Sequence, residues 1–203
     1  MAQRKLKQGD ETAATTVYEA RSFDLSRLQG LSAKAIETHL GLYHGYVDQL
    51  NELTAKSAAK SPDEAAARVR HFAFEYNGVV LHELFFEQLA GANASRLASG
   101  SVVAEAADIS FGGVEAWQRD IKLLAETRGV GWLMCVRDPM KNRIFNTWVD
   151  LHHLAMPAGC QILFVLDLWE HAYMLDFAPK QRGDYVDTIV KQVDWNVVER
   201  RAG

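Results

Sequence analysis

The segment "VLDLWEHAY", residues 165–173, closes an apolar run with Asp167 and sets His171 four positions later. A carboxylate at the end of a buried strand is costly unless it is paired or bound to a metal. An Asp/His pair four residues apart shares a helix face and can close on one ion. The same spacing also arises from an N-capping Asp followed by an ordinary helix His, so the other histidines carry the decision. The chain has seven, at 39, 44, 71, 82, 152, 153 and 171. His39 lies between Ile36 and Tyr43 on an apolar helix face, and His82 lies among Val79, Phe85, Phe86 and Leu89. Either one alone reads as a hydrogen-bonded core residue. Taken with Asp167 and His171 they make three imidazoles and one carboxylate, a transition-metal set with room for a solvent ligand, suited to iron or manganese. Zinc fits the ligand types but would support hydrolysis, not redox chemistry.

The elements that must position these residues follow from hydrophobic periodicity. Ile36, Leu40, Tyr43, Val47 and Leu50 recur at helical spacing, which predicts a helix from Leu31 to Lys56 with Ser32 as its cap. "KSPDE" interrupts it, and Pro62 suits the first turn of a second helix running to about Gly91. Two long helices joined by a short polar link form an antiparallel hairpin. A third helix is expected over 113–129, "GVEAWQRDIKLLAETRG". "VGWLMCVRD", "NRIFNTWVDL" and "CQILFVLD" then read as three strands, the first two a hairpin turned at "DPMKN". A last helix is expected from Tyr185 to Arg201. Strands grouped after helices predict an α+β fold: an N-terminal antiparallel helical hairpin followed by a mixed α/β half with a three-stranded antiparallel sheet. The expected organisation is a polar N-terminal extension (1–20), a helical hairpin domain (21–96) and a C-terminal α/β domain (97–203).

Composition narrows the function classes. A chain of 203 residues, 48% hydrophobic, can bury a sizeable core. A net charge of −4 argues against a nucleic-acid partner. Two cysteines imply no disulfide framework. No apolar stretch is long enough to span a bilayer, and the polar N-terminus does not read as a secretory signal, so a cytoplasmic protein without a membrane partner is expected.

The chain resembles the iron/manganese superoxide dismutases over roughly residues 18–201. "LSAKAIETH" with "YVDQLN" is similar to the family's first-ligand helix, and "HELFFEQL" to its second-ligand segment. "GVGW" and "DLWEHAY" resemble its two most diagnostic stretches, and "VDW" at 193–195 its C-terminal helix. The resemblance implies one iron or manganese ion per subunit on His39, His82, Asp167 and His171. It implies disproportionation of superoxide to dioxygen and hydrogen peroxide. Tyr46 falls on the family's active-site tyrosine, and Trp132 and Trp169 on its pocket tryptophans. Glu170 would reach across an interface to the metal-bound His171 of a second copy, which implies a homodimer or a tetramer containing it.

Several positions depart from the family pattern. The glutamine that bonds the metal's solvent ligand is absent: its helix position is Gly78, and the loop "VDLHHLAMP" supplies a histidine instead. His152, fifteen residues before Asp167, is the candidate, with His153 its neighbouring rival. The family's cross-interface His/Tyr pair corresponds to Tyr43 and Met174, so that relay would be missing. His39 and Tyr46 are seven residues apart where the family has eight. Seven steps return to one face of a regular helix, so no π-bulge is expected between them. Were Tyr46 to lie outside the pocket, Tyr43 would inherit its place. Arg182 in "KQRGDY" reads either as an anion-steering residue or as a solvated arginine. The alternative to an active dismutase is a metal-binding or interaction module of the same fold with reduced turnover, and a zinc hydrolase ranks last for want of a general base.

Overall fold

The computed structural model describes residues 17–89 and 95–203, so the first sixteen residues of the expected extension and part of the expected inter-domain link lie outside the described residues. Helix α1 spans Ala33–Ala55, and Ser32 caps it by accepting from the Ala35 backbone N–H. That bond satisfies one of the donors a helix start leaves open. Helix α2 spans Pro62–Leu89, with Pro62 at its first position and Asp63 and Glu64 in its first turn. The two run antiparallel: Tyr43 pairs with Glu83, Tyr46 meets Gly78, and Arg68 donates to the Leu53 carbonyl. Helix α1 is unbroken α-helix across 39–46, as the seven-residue spacing requires.

Helix α3 (Val102–Phe111) was not foreseen; α4 (Val114–Ala125) is the expected third helix, shorter at its C-terminus. Strands β1 (Gly131–Arg137), β2 (Ile144–Asp150) and β3 (Gln161–Asp167) form one antiparallel sheet in the order β2-β1-β3. The central strand β1 is buried along nearly its whole length. In register, Trp132 stands opposite Val149 on one side and Asp167 on the other, which sets an indole directly beside the carboxylate. The final helix is a correction. It is two helices, α5 (Arg182–Val190) and α6 (Trp195–Ala202), because Asp194 turns extended and caps α6 through the Asn196 N–H.

Helix α2 lies against β3. The Gln88 side-chain amide donates to the Val165 carbonyl and its oxygen accepts from the Val165 N–H, so a helix side chain completes the backbone pairing of an edge strand. Arg201 of α6 reinforces this seam by donating to the carbonyls of Leu163 and Leu84 and pairing with Glu87. The core is one cluster, drawing Leu50, Leu81 and Phe86 from the hairpin and Trp117, Leu133 and Phe164 from the rest. Among the described residues no helix is long and apolar enough to cross a membrane.

Candidate metal centre

Four side chains from four elements converge where the hairpin meets the end of β3. His39 comes from α1, His82 from α2, Asp167 from the last position of β3, and His171 from a 3-10 turn, Glu170–Ala172. The last pair corrects the shared-helix-face expectation. Asp167 is still strand, and its Oδ1 accepts from the Trp169 N–H, so the backbone turns sharply and returns His171 toward it. One ligand atom from each of the four lies within 4.8 Å of all the others. Opposite donors on one first-row ion stand about 4.2 Å apart, so the set needs only a slight contraction to share one.

The details fix which atoms are available. Asp167 Oδ2 lies 3.0 Å from His39 Nε2, 3.3 Å from His171 Nε2 and 3.7 Å from His82 Nε2. His82 Nδ1 lies 2.6 Å from the Gly78 carbonyl oxygen. A carbonyl only accepts, so Nδ1 carries the proton and Nε2 presents a bare lone pair. That Nε2 is buried without a hydrogen-bond partner and faces a carboxylate oxygen, another acceptor. Two opposed acceptors in a buried space are unfavourable unless something between them satisfies both, and a metal ion does so. The donor set fits a metal ion on this ground.

Electrostatics agree. Burial pushes the pKa of His39 and His82 down, His82 well below the ordinary imidazole value, which keeps both neutral as ligands must be. Burial alone would raise Asp167, but hydrogen bonds with His171 and His39 outweigh it and hold the carboxyl well below the usual carboxylate range. Tyr185 of α5 donates to the Asp167 backbone carbonyl at 3.0 Å and so pins the strand end.

Beside the donors runs a hydrogen-bonded chain. Trp132 Nε1–H donates to His152 Nδ1 at 2.9 Å, and His152 Nε2 lies 2.9 Å from the Tyr46 hydroxyl. An indole N–H only donates, so His152 is protonated on Nε2 and donates to Tyr46. The His152 ring stacks on Trp169 at 4.9 Å and takes the edge of Phe74 at 4.5 Å. Burial lowers its pKa to about 4. Leu151, just before it, adopts φ 55°, and the Trp169 indole donates to its carbonyl. A left-handed leucine is strained, and this one turns the chain inward immediately after β2. The His153 ring also packs against Phe74, at 5.8 Å.

The remaining predicted residues divide. Tyr46 lies in the pocket with its ring 5.1 Å from that of His82. Tyr43 is fully buried; its hydroxyl donates to Glu83 and accepts from the Arg21 N–H, both within its own chain. His44 is exposed, turned away as expected. Glu170 is exposed, and Met174 stands nearby at 44% exposure. Arg182 is half-buried, donates to the carbonyls of Gly129 and Thr127 and braces the turn before β1. Sequence reasoning missed Tyr185, Phe74 and the Arg21–Glu83 partners of Tyr43. Their only signal was apolar or charged residues at the right helical phase, and only the fold says what those face.

A family model for "Iron/manganese superoxide dismutases, C-terminal domain" matches residues 99–201. The chain belongs to the iron/manganese superoxide dismutase family. It is 32% identical to "Superoxide dismutase [Fe]" of Pyrobaculum aerophilum, over 84% of this chain and 83% of that one. It is 30% identical to "Superoxide dismutase [Fe]" of Aquifex aeolicus, over 86% and 85%. It is also 30% identical to "Superoxide dismutase [Mn] 1" of Haloferax volcanii, over 82% and 84%. Relatives of both metal types match alike, and the four-donor cluster is of a kind that can hold either ion.

Proposed function

We propose that this superoxide dismutase family member disproportionates superoxide to dioxygen and hydrogen peroxide at one iron or manganese ion held by His39, His82, Asp167 and His171. The bare, buried Nε2 of His82 facing Asp167 carries the reading, since a bound cation satisfies both. When bound, the ion supplies a one-electron couple that can first oxidise and then reduce superoxide. The chain's residues do the rest. The Gly78 carbonyl sets the His82 tautomer, and Asp167 contributes the negative charge that balances the ion. Trp132 and Trp169 lock His152, which directs its Nε2–H at the Tyr46 hydroxyl and leaves the Tyr46 proton free to point into the pocket. We assign to this pair the role that a glutamine fills elsewhere in the family, hydrogen bonding toward the open side of the donor set. A metal-binding or interaction module without turnover is not favoured.

The same reading includes an antioxidant role and a homodimer, with a tetramer as its possible extension. Glu170 supports the dimer: its carboxylate makes no ion pair among the described residues, follows Trp169 and precedes His171, and lies close in sequence to exposed Met174 and Leu175. The family match beginning at residue 99 supports the division into a hairpin domain (21–96) and a C-terminal domain (97–203). Metal analysis tests the site. Purified protein is expected to carry about one iron or manganese per chain, and His82→Ala to lose most of it. Full retention of metal by His82→Ala would place the ion elsewhere.

A further inference from the structure

Converting two superoxide anions to dioxygen and hydrogen peroxide consumes two protons, so turnover depends on how protons reach the centre. Near it, Met174 has no exchangeable proton, and the Tyr43 hydroxyl is hydrogen-bonded to Glu83 and to the Arg21 N–H. A different route opens on the α1–α2 side of Tyr46. A cavity of about 470 Å³ lies there, lined by Tyr46 and Glu75 and bordered by Gly41 and Gly45. Neither glycine has any atom within 4 Å of the place a Cβ would occupy, so this face of α1 is open.

Glu75 is a buried carboxyl that the mechanism above does not use. It is 6% exposed, and its Oε1 lies 2.9 Å from Nε2 of His71, whose side chain is 46% exposed. An imidazole therefore stands half in solvent, a carboxyl stands behind it, and Tyr46, whose hydroxyl pairs with His152, lines the same space as that carboxyl. This space opens to solvent, so water can bridge Glu75 and Tyr46.

We propose that His71 and Glu75 form a proton relay that feeds the Tyr46 end of the pocket through this cavity, an inference that rests on the dismutase reading. The Glu75 carboxylic acid passes its proton across the cavity to the Tyr46 hydroxyl oxygen as the Tyr46 proton moves to the reduced dioxygen species. The His71 imidazolium then reprotonates the Glu75 carboxylate, and His71 is recharged from bulk buffer. Two such passes deliver the two protons of each hydrogen peroxide. Burial pushes the Glu75 carboxyl above its ordinary value, and the His71 hydrogen bond offsets part of that rise. Asp48 and Glu52 of α1 line the cavity, no Lys or Arg does so among its described lining residues, and Tyr46 itself feels the charges of Asp167 and Glu75. As a mere i,i+4 helix pair, His71–Glu75 would matter only to helix stability, by a few tenths of a kcal/mol.

The test is chemical rescue with metal-loaded protein. Glu75→Gln keeps the volume and hydrogen bonding but cannot ionise; His71→Gln alters only the half-exposed outer end. Both are expected to retain metal yet slow by about tenfold at saturating superoxide, and added imidazole buffer is expected to restore the rate in proportion to its concentration. Variants as fast as wild type, or slow variants that imidazole does not rescue, would overturn the relay. Wild-type protein that fails to consume superoxide would instead overturn the functional reading and the relay with it.

Discussion

Tyr46 holds its position because residue 78 has no side chain. A Cβ built on Gly78 would stand 2.8 Å from Tyr46 Cδ1 and 3.0 Å from Cγ, inside van der Waals contact with the ring. The same residue's carbonyl fixes the His82 tautomer, so one glycine serves both a donor and the tyrosine beside it. Two effects compete in Gly78→Ala. Relief of glycine's backbone freedom within a helix stabilises by about 1 kcal/mol, whereas overpacking against a held aromatic ring costs about 1–3 kcal/mol. The expected outcome is a net loss of about 1 kcal/mol in urea unfolding, with Tyr46 displaced from His152 and turnover reduced. A variant more stable than wild type and fully active would mean that Tyr46 does not depend on this contact. The donor residues themselves were legible in the sequence because the chemistry limits what can sit there: a carboxylate buried beside neutral imidazoles calls for a cation. Which nitrogen of each histidine is free was not legible, since that depends on Gly78 and Trp132, partners 4 and 20 residues away in sequence.

The long helices and the strands were readable at the scale of elements because each buries one continuous pattern. Helix α1 shows Tyr43, Val47 and Leu50 inward, and β1 is an almost unbroken apolar run. The failures share a cause, which is short elements set by local punctuation. Helix α3 covers ten residues, too few for periodicity to declare itself, yet Ser101 caps its start and Gly112, at φ 79°, closes its end. Those two residues were the available signal. The C-terminal helix read as one because Val190, Val193 and Val198 continue an apolar phase across the break, while Asp194 stops the backbone. The strand-to-turn passage from Asp167 to His171 mimics helical spacing for a similar reason: a 3-10 turn also returns a side chain after a few residues. Gly131 shows the opposite case, a local signal with a long-range cause. It holds φ 150°, and a Cβ there would collide with the Val149 carbonyl of the paired strand, which accounts for the glycine before Trp132 in "GVGW".

The molecule as a whole holds several neutral imidazoles in its interior, and this predicts how it responds to acid. In the metal-free protein His39 and His82 have lowered pKa values and His152 titrates at about 4, against about 6.5 for an unfolded histidine. Between those limits the unfolded chain binds more protons than the folded one, so stability is fully present above about pH 6.5 and falls as pH drops toward 4. His152 alone accounts for about 2 kcal/mol lost between pH 7 and pH 5. Asp167, whose pKa is lowered, adds its own loss only further down, below the unfolded carboxyl value of about 3.9. Urea unfolding of the apoprotein at pH 7 and pH 5 checks this, and equal midpoints would mean that these imidazoles are already charged in the fold.

All of these features matter to function only if the four donors hold a redox ion. The most direct measurement is the rate of superoxide loss, followed spectroscopically, against the amount of iron or manganese bound to the protein. The expected rate rises linearly with bound metal to one ion per chain, with one hydrogen peroxide formed for every two superoxide anions consumed. Asp167→Asn is expected to abolish both binding and rate. Fully loaded protein that removes superoxide no faster than the free metal in buffer would contradict a catalytic centre at these four donors.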